Sequence, residues 1–370
     1  MKLLIYQPRA SYYVGGGEVV AINQARYLIK IGFDVYFVTS KASWLSESDA
    51  FKKFKQDFSN NILQIDIPDN LKYIYDIEAG SDWKRWDLES IHFGLYVKEF
   101  IKDIKYNLGI CHLPLDLVAL NNSQKNIIFL HGYPASLNYA CELILHNQHE
   151  YIAVSKKVKD EWQRLLGNVN IDVVYNGVDT EYFSPSNQID KKYDVLFVGR
   201  LIESKGILNL LDAFKDLIKI RSYLKLALVG TGPLKNKIDS YIVENHLSSN
   251  VESLGYLSET TLLDTYRLSK IAVLPSLSRE GVLTTALEAT ACGLPVVTSK
   301  GLSLEEYIRH GKNGFLVNTS EKKEIISTLE YFFESNTLLS EMSIVARDIS
   351  IEWDWNKKIK ELKKIILKYE

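Results

Sequence analysis

Short apolar runs alternate with longer stretches of helical periodicity along the whole chain. This alternation is the pattern of β-α-β units, and it predicts parallel sheets. Valine, isoleucine, leucine and phenylalanine dominate the runs without strict polar alternation, as strands buried on both faces require. The predicted strands are residues 2–7, 34–39, 62–67, 108–113, 126–130, 151–154 and 171–175 in the first half, and 194–199, 224–230, 271–275, 295–298 and 314–317 in the second.

Residues 176–187 separate the two halves and are typical of a linker. They combine an Asn-Gly turn, one proline and no helical period, and a fresh strand follows them. We therefore predict two doubly wound α/β domains, at residues 1–183 and 184–350, with a ligand cleft between them. The remaining residues, 351–370, contain an amphipathic helix rich in lysine and isoleucine.

Length and composition suit two soluble domains of roughly 180 residues each. The net charge of −2 leaves no basic footprint, so we expect no nucleic-acid partner. The three cysteines are far apart and form no Cys-x-x-Cys pair, which argues against disulfides and zinc and favours a reducing compartment. The apolar run at the N-terminus is too short for a signal peptide or a membrane span, so we expect a cytoplasmic protein.

A glycine-rich turn follows the first predicted strand. Gly15, Gly16 and Gly17 precede Glu18 and open a predicted helix that runs to about residue 31. Glycine lets the backbone turn tightly, and the N–H groups at a helix start can approach a phosphate. The Gly-x-Gly-x-x-Gly spacing of dinucleotide-binding folds does not occur here. A phosphate-binding turn and a merely flexible β-α turn both remain open.

Two cations follow the first predicted strand of the second half. Arg200 stands at the carboxyl end of this strand, and Lys205 lies directly before Gly206. Ligands of open α/β sheets bind at the carboxyl ends of strands. A guanidinium grips phosphate oxygens through its fork, and an ammonium supplies a point charge. We therefore favour phosphate binding over the alternative of two solvated surface cations.

A third motif runs from Glu280 to Glu288, across a turn that starts a predicted helix. The N–H groups near Gly281, Val282 and Leu283 would face a diphosphate. A rise of about 1.5 Å per residue puts the two carboxylates roughly 12 Å apart, which suits one on a sugar and the other on a ribose diol. Because the neighbours of Glu288 are small and apolar, we favour a binding role over a chance polar residue on the helix rim.

His131 ends a predicted strand of the first half and is followed by a glycine. A single histidine is usually structural, but ligands bind at this edge of such sheets. A structural role and a role at the ligand site therefore both remain open for His131. The other histidines lie in no such context: His92, His112, His146, His149, His246 and His310.

Taken together, these motifs resemble glycosyltransferase family four, the large retaining group with the GT-B fold. The resemblance covers nearly the full length: the Gly-Gly-x-Glu turn at 15–18, the Asn-Gly-Val-Asp linker at 176–179, the pair Arg200 and Lys205, and the Glu-x7-Glu signature at 280–288. It implies two Rossmann-like doubly wound domains facing across a cleft, with the last helix crossing back to the first domain. The first domain would bind the acceptor, and the second the nucleotide-sugar donor.

The resemblance also implies a role for each motif. Arg200 and Lys205 would neutralise the leaving diphosphate, Glu280 would hold sugar hydroxyls, and His131 would lie near the transferred sugar. Glu288 would hold the ribose. Backbone contacts to the donor are implied for Gly16, Gly17, Gly255, Tyr256 and Leu257, beside those expected at Gly281, Val282 and Leu283.

The implied reaction is retaining transfer of a hexose from a nucleoside-diphosphate sugar to a glycan or lipid-linked acceptor. We expect front-face attack, because no carboxylate nucleophile is apparent. No Asp-x-Asp motif stands in a convincing loop, so we expect neither a metal nor another cofactor. Surface polysaccharide or glycoconjugate synthesis at the inner face of the membrane is the preferred setting.

Other interpretations remain open. A nucleotide-sugar-binding module without transfer activity and an epimerase of the same fold would share the donor motifs. A phosphorylase would need a pyridoxal lysine, and an NAD oxidoreductase would need the missing glycine fingerprint. Aromatic residues of the first domain either contact an acceptor or the membrane surface, or form core: Trp44, Phe51, Phe54, Trp83, Trp86, Tyr96 and Phe100.

Overall fold

The computed structural model describes residues 1–77, 84–120, 124–134, 149–167, 169–186, 189–277 and 281–369. The chain divides into two compact units. The first unit consists of Met1–Asn176 and Trp355–Glu370, and the second of Gly177–Asp354. Among the described residues, each unit is built around one parallel sheet.

The sheet of the first unit has the strand order β3-β2-β1-β4-β5-β6-β7 among the described residues. Its strands are β1 (Lys2–Tyr6), β2 (Asp34–Lys41), β3 (Ile62–Asp66), β4 (Leu108–Cys111), β5 (Lys125–Leu130), β6 (Glu150–Ala153) and β7 (Ile171–Val173). Its helices are α1 (Gly16–Lys30), α2 (Asp49–Phe58), α3 (Lys84–Leu88), α4 (Gly94–Ile101), α5 (Lys156–Leu166) and, from the end of the chain, α12 (Trp355–Ile366). The order reverses between β1 and β4, which in such sheets opens a crevice at the strand ends.

The sheet of the second unit has the order β10-β9-β8-β11-β12-β13, again counted over the described residues. Its strands are β8 (Tyr193–Val198), β9 (Leu226–Val229), β10 (Val251–Gly255), β11 (Ser269–Leu274), β12 (Val296–Ser299) and β13 (Gly314–Val317). Its helices are α6 (Ile207–Ile220), α7 (Lys235–Glu244), α8 (Glu259–Arg267), α9 (Thr284–Ala291), α10 (Lys322–Glu334) and α11 (Asn336–Ile351). Here the order reverses between β8 and β11.

The parallel sheets predicted from the apolar runs are confirmed, and each predicted run contains a strand. The strand β10 was not predicted. It pairs with β9 at the edge of the sheet, and Glu252 within it is exposed. An edge strand buries less of its surface than a central one, so its sequence carries a weaker apolar signal.

The unit boundaries fall after Asn176 and Asp354, whereas the sequence placed them after residues 183 and 350. The start of the linker packs within the second unit. The N–H of Val178 donates to the carbonyl of Trp353 at 2.9 Å, and the Phe183 ring packs edge-on against Tyr266. Val178 and Phe183 of the predicted linker therefore pack against residues of the second unit.

The last helix, α12, packs in the first unit. Its buried positions follow helical spacing at Trp355, Ile359, Leu362 and Ile366, and the Trp355 ring stacks on Tyr27 of α1 at 6.0 Å between centroids. Lysines fill much of its opposite face. None of the described helices combines the length and apolar character needed to span a membrane.

The aromatic residues of the first unit mostly form core. Phe51 and Phe54 are fully enclosed on α2, and Trp86 is buried. Phe100 is about half exposed, at 52%. Trp83 lies outside the described residues. The core interpretation therefore holds for Phe51, Phe54 and Trp86.

Candidate functional site

The loop that carries Arg200 and Lys205 is held between two neighbouring strand ends of the second unit. On one side, the N–H of Gly199 donates to the carbonyl of Val229 at 3.0 Å. On the other, the carbonyl of Ser204 accepts from the N–H of Leu277 at 2.7 Å, in the loop after β11. The loop after β8 is thereby joined to the segment that leads to the Glu-x7-Glu motif.

Two glycines permit this close packing of loops. Gly206 has a φ of +65°, and a Cβ there would lie 2.0 Å from the carbonyl oxygen of Pro275. Gly230 has a φ of +135°, and its Cβ would lie 1.9 Å from the carbonyl oxygen of Gly199. Neither position accepts a side chain, because both the backbone conformation and the space exclude one. Gly230 was not predicted as part of the site, although the Gly-Thr-Gly that follows a predicted strand was a usable signal.

The helix α9 begins next to this loop. Gly281, Val282 and Leu283 precede it, and Leu283 at its N-cap makes no side-chain hydrogen bond to the first turn. N–H groups of a first turn without such a cap carry positive potential and can bind an anion. Gly281, Val282 and Leu283 thus lie at a helix start that could bind an anion, as their predicted backbone contacts require. Glu280 lies outside the described residues.

Glu288 lies in the second turn of α9, surrounded by the buried side chains of Ala286, Leu287 and Ala289. The hydroxyl of Tyr266 on α8 donates to its Oε2 atom at 2.8 Å. Burial raises the pKa of Glu288 to about 7, although the hydrogen bond from Tyr266 lowers it. The partly buried glutamate therefore has a hydrogen-bond partner on a second helix.

The turn at Gly255, Tyr256 and Leu257 belongs to the same group of strand ends. The carbonyl of Gly255 accepts from the N–H of Gly230 at 2.8 Å, and Tyr256 is exposed. Ser258 then caps α8, the helix that carries Tyr266. The predicted nucleobase turn and the predicted ribose carboxylate are therefore connected through one short helix.

A small cavity adjoins the loop after β11. Its volume is about 130 Å³, and its lining includes Ser276, Leu277, Ser299 and Thr319. The hydroxyl of Ser299 donates to the carbonyl of Ser276 at 2.5 Å, which ties β12 to this loop. Hydroxyl and apolar side chains therefore share the lining of this cavity, at the carboxyl ends of neighbouring strands.

In the first unit, the structure brings the glycine turn together with His131. Gly16 and Gly17 form the start of α1, with Gly15 as its N-cap. A Cβ at Gly17 would lie 3.8 Å from the His131 ring, while nothing lies within 4 Å of one at Gly16. The histidine after β5 is thus adjacent to a helix N-terminus.

His131 has a second histidine as its partner. The Nδ1 atom of His112 and the Nε2 atom of His131 are 2.8 Å apart, and the rings are stacked. Burial lowers the pKa of His131 to about 4 and that of His112 well below its usual range. His112 was expected to lie in no such context, and its pairing with His131 corrects that expectation. The sequence carried no local signal for it, because only the pairing of β4 with β5 brings it next to His131.

A buried ionic cluster lies beneath the glycine turn. The Nη2 atom of Arg9 lies 2.6 Å from Oδ2 of Asp116, and its Nη1 lies 3.4 Å from Oε2 of Glu89. The Nε atom of Arg9 lies 3.6 Å from Oε1 of Glu18. Burial raises the pKa of both Glu18 and Glu89, and the charge of Arg9 opposes it. The cluster ties the first turn of α1 to the loop after β1, and it was not predicted from the sequence.

Among the described residues, no group of three or more histidine, cysteine, aspartate or glutamate side chains is arranged to hold a metal ion.

Two family models match adjacent parts of the chain. The model "Glycosyltransferase Family 4" matches residues 14–182, and "Glycosyl transferases group 1" matches residues 178–348. The chain belongs to glycosyltransferase family 4. The expected family is therefore confirmed, and the two matched regions meet within the predicted linker.

Relatives of this family 4 chain carry glycosyltransferase names. An uncharacterised glycosyltransferase of Methanocaldococcus jannaschii is 29% identical over 66% of this chain and 68% of its own length. The alpha-monoglucosyldiacylglycerol synthase of Acholeplasma laidlawii is 21% identical over 93% of this chain and 91% of its own.

Solved structures share the fold along the full chain. The sucrose-phosphate synthase of Thermosynechococcus elongatus has a TM-score of 0.82 at 17% identity, covering 100% of this chain and 98% of that one. HepE of Anabaena, solved with UDP, has a TM-score of 0.76 at 17% identity and covers 100% of both chains. The predicted GT-B fold, with two parallel-sheet α/β domains, is confirmed by these likenesses.

In the second unit of this family 4 glycosyltransferase, hydrogen bonds join the loops of most of the predicted donor residues. In the first unit, Gly17 and His131 are neighbours. Contact of any of these residues with a donor stays a prediction.

Proposed function

We propose that this glycosyltransferase moves a hexose, with retention of configuration, from a nucleoside-diphosphate sugar to a glycan or lipid-linked acceptor. The observation that carries the proposal is the joining of three strand-end loops in the second unit. The loop with Arg200 and Lys205 is hydrogen-bonded to the loop before α9. The N–H of Gly199 also donates to Val229, and the next residue, Gly230, donates to the carbonyl of Gly255. A cationic loop beside an open helix N-terminus suits a diphosphate.

Charge neutralisation is the main chemical contribution that we assign to this site. A nucleoside diphosphate leaves as an anion, and positive groups aimed at the developing charge are usually the largest catalytic factor. Arg200, Lys205 and the start of α9 supply that positive potential. We propose that transfer needs no metal ion, because these groups can meet the charge of the leaving diphosphate.

The remaining donor contacts follow from the chemistry of each side chain. Glu288 accepts from the two ribose hydroxyls, which a carboxylate does in a bidentate way. The turn at Gly255, Tyr256 and Leu257 contacts the nucleobase. We propose that Glu280 binds the sugar hydroxyls and that His131 lies near the transferred sugar, as the family resemblance implies. Retention then follows a front-face route without a carboxylate nucleophile.

A nucleotide screen tests this proposal. We expect one nucleoside diphosphate to raise the unfolding temperature by several degrees, because a ligand at 100 times its Kd stabilises by about 2.7 kcal/mol. UDP is the first candidate, since HepE was solved with UDP; GDP, ADP and the corresponding sugars complete the set. No shift with any of them would contradict the proposal. A shift without sugar transfer would favour the inactive binding module.

We expect donor affinity to depend on the ionisation of Glu288. With a pKa of about 7, the ionised form predominates above pH 7 and is lost as the pH falls below it. Nucleotide affinity should therefore fall about tenfold between pH 8 and pH 6, following the ionised fraction. Calorimetric titration across this range measures it.

Two variants isolate the contribution of Glu288. Glu288→Gln should bind more weakly and lose this pH dependence, while titration of the nucleotide itself would remain. Tyr266→Phe removes the hydrogen bond that lowers the pKa of Glu288, so its affinity profile should move to higher pH. An unchanged profile in Glu288→Gln would overturn the ribose assignment.

We propose an acceptor of surface polysaccharide or glycoconjugate synthesis, with the enzyme in the cytoplasm at the inner face of the membrane. A relative named for diacylglycerol glycolipid synthesis supports a lipid-linked acceptor. The exposed side chains of Tyr73, Leu95 and Phe100, with lysines nearby in sequence, suit peripheral contact with anionic lipid. Co-sedimentation with anionic vesicles at low salt tests this contact, and protein left in the supernatant would exclude it.

A further inference from the structure

The histidine pair of the first unit occupies two neighbouring strand ends. His112 follows β4 and His131 follows β5, and these strands pair in parallel. The rings are stacked with their centroids 5.1 Å apart, and Nδ1 of His112 lies 2.8 Å from Nε2 of His131. One of these two nitrogens must carry a proton and donate a hydrogen bond to the other.

His112 is enclosed on all sides. Its side chain is 1% exposed, and its ring stacks on Phe129 with centroids 5.3 Å apart. Burial, His131 and the charge of Arg9 lower the pKa of His112, and burial lowers the pKa of His131 to about 4. Both rings are therefore neutral at physiological pH, and each carries one N–H.

The remaining nitrogen of His112 decides which ring donates. Its Nε2 atom is buried and has no hydrogen-bond partner among the described residues. A proton there would be a buried donor without an acceptor, which folded proteins rarely tolerate. The nearby Arg9 offers only donors and could not receive such a proton. The favourable tautomer of His112 therefore has its proton on Nδ1, where it donates to His131.

This hydrogen bond fixes the tautomer of the second ring. If Nε2 of His131 accepts from His112, the proton of His131 must be on Nδ1. His131 then has one nitrogen occupied as an acceptor and the other available only as a donor. It retains no lone pair for taking a proton from an acceptor hydroxyl.

We propose that His112 is a positioning residue that holds His131 as a hydrogen-bond donor to the sugar and prevents it from acting as a general base. The inference rests on the proposed function for the role of His131, but not for the tautomer itself. The proton of the attacking hydroxyl is then transferred to a different base. In front-face attack, the departing diphosphate oxygen can accept it as the bond to the sugar breaks.

Nitrogen-15 NMR of the histidine-labelled protein tests the tautomer without any substrate. At neutral pH, we expect both His131 and His112 to show the signals of the tautomer that carries its proton on Nδ1. His131→Asn and His112→Asn provide the assignments, and the exposed His92→Asn is the matched control. An Nε2–H tautomer at His131 would overturn the inference whether or not the enzyme activity is found.

Three variants of His112 test the effect on transfer. His112→Asn keeps an N–H near the position of Nδ1, His112→Asp presents only an acceptor, and His112→Phe presents neither. We expect the asparagine variant to keep kcat within about threefold, and the other two to lose about tenfold or more, as for a lost hydrogen bond to a catalytic group. Donor affinity should be the same in all three.

The possible results distinguish the positioning role of His112 from the proposed function of His131. Equal kcat in the asparagine, aspartate and phenylalanine variants would overturn the positioning role. A wild-type enzyme that transfers no sugar, or a His131→Ala variant with unchanged kcat, would instead overturn the proposed function of His131. If a variant does not fold, the tautomer measured in the wild-type protein still decides the inference.

Discussion

Replacement of Lys205 by alanine is expected to lower kcat about a hundredfold. Lys205 ends the short turn at Glu203–Lys205, directly before the N-terminus of α6. Backbone hydrogen bonds hold this turn against the loop that leads to α9, so the ammonium belongs to a fixed part of the proposed diphosphate site. Removing one positioned group that stabilises developing negative charge costs roughly 10²–10³ in kcat.

Steady-state kinetics with the donor found in the nucleotide screen would measure this loss. Lys205→Arg keeps the charge but changes its geometry, so an intermediate kcat is expected. Lys237→Ala removes an exposed lysine of α7 in the same unit and should leave kcat unchanged. A Lys205→Ala enzyme with wild-type kcat would show that the leaving group does not depend on this cation.

Arg200→Ala should behave similarly, and the double variant reports whether the two cations act together. Residues that neutralise the same charge are strongly non-additive. We therefore expect the double variant to lose less than the product of the two single effects. A full product would indicate that the two side chains contact separate groups.

The fold was largely predictable, because buried parallel strands produce apolar runs that can be recognised one at a time. Strands such as Tyr193–Val198 are buried along their whole length, and their sequence reflects it. Val251–Gly255 was missed because only part of it is buried. The boundary at Asn176 was missed because turn composition does not reveal whether a segment packs on a core, as Phe183 does.

The local structure around the candidate site was predictable where the residues lie in one continuous motif. The helix start at Leu283 and the carboxyl group of Glu288 belong to such a motif. Their partners could not be predicted, because they are distant in sequence: Tyr266 reaches Glu288 from another helix, and Arg9 reaches Asp116 across 107 positions. His112 belongs to the same class. It has no local signature, and only the pairing of β4 with β5 brings it to His131.

Replacement of Gly206 by alanine is expected to destabilise the second unit and to weaken nucleotide binding together. A left-handed backbone costs a non-glycine residue about 1–2 kcal/mol, and overpacking adds about 1–3 kcal/mol. Both apply here, since the new Cβ would lie 2.0 Å from the carbonyl oxygen of Pro275. The loops after β8 and β11 must then separate, which displaces Lys205 from the start of α9.

Gly311→Ala is the matched control, because it separates backbone strain from this clash. Gly311 has a φ of +76° in the same unit, but nothing lies within 4 Å of a Cβ placed there. It should lose only the strain energy of about 1–2 kcal/mol and keep wild-type nucleotide affinity. Urea unfolding of the full chain and nucleotide titration measure both quantities. Equal losses in the two variants, with affinity intact, would show that the packing of Gly206 on Pro275 does not organise the donor site.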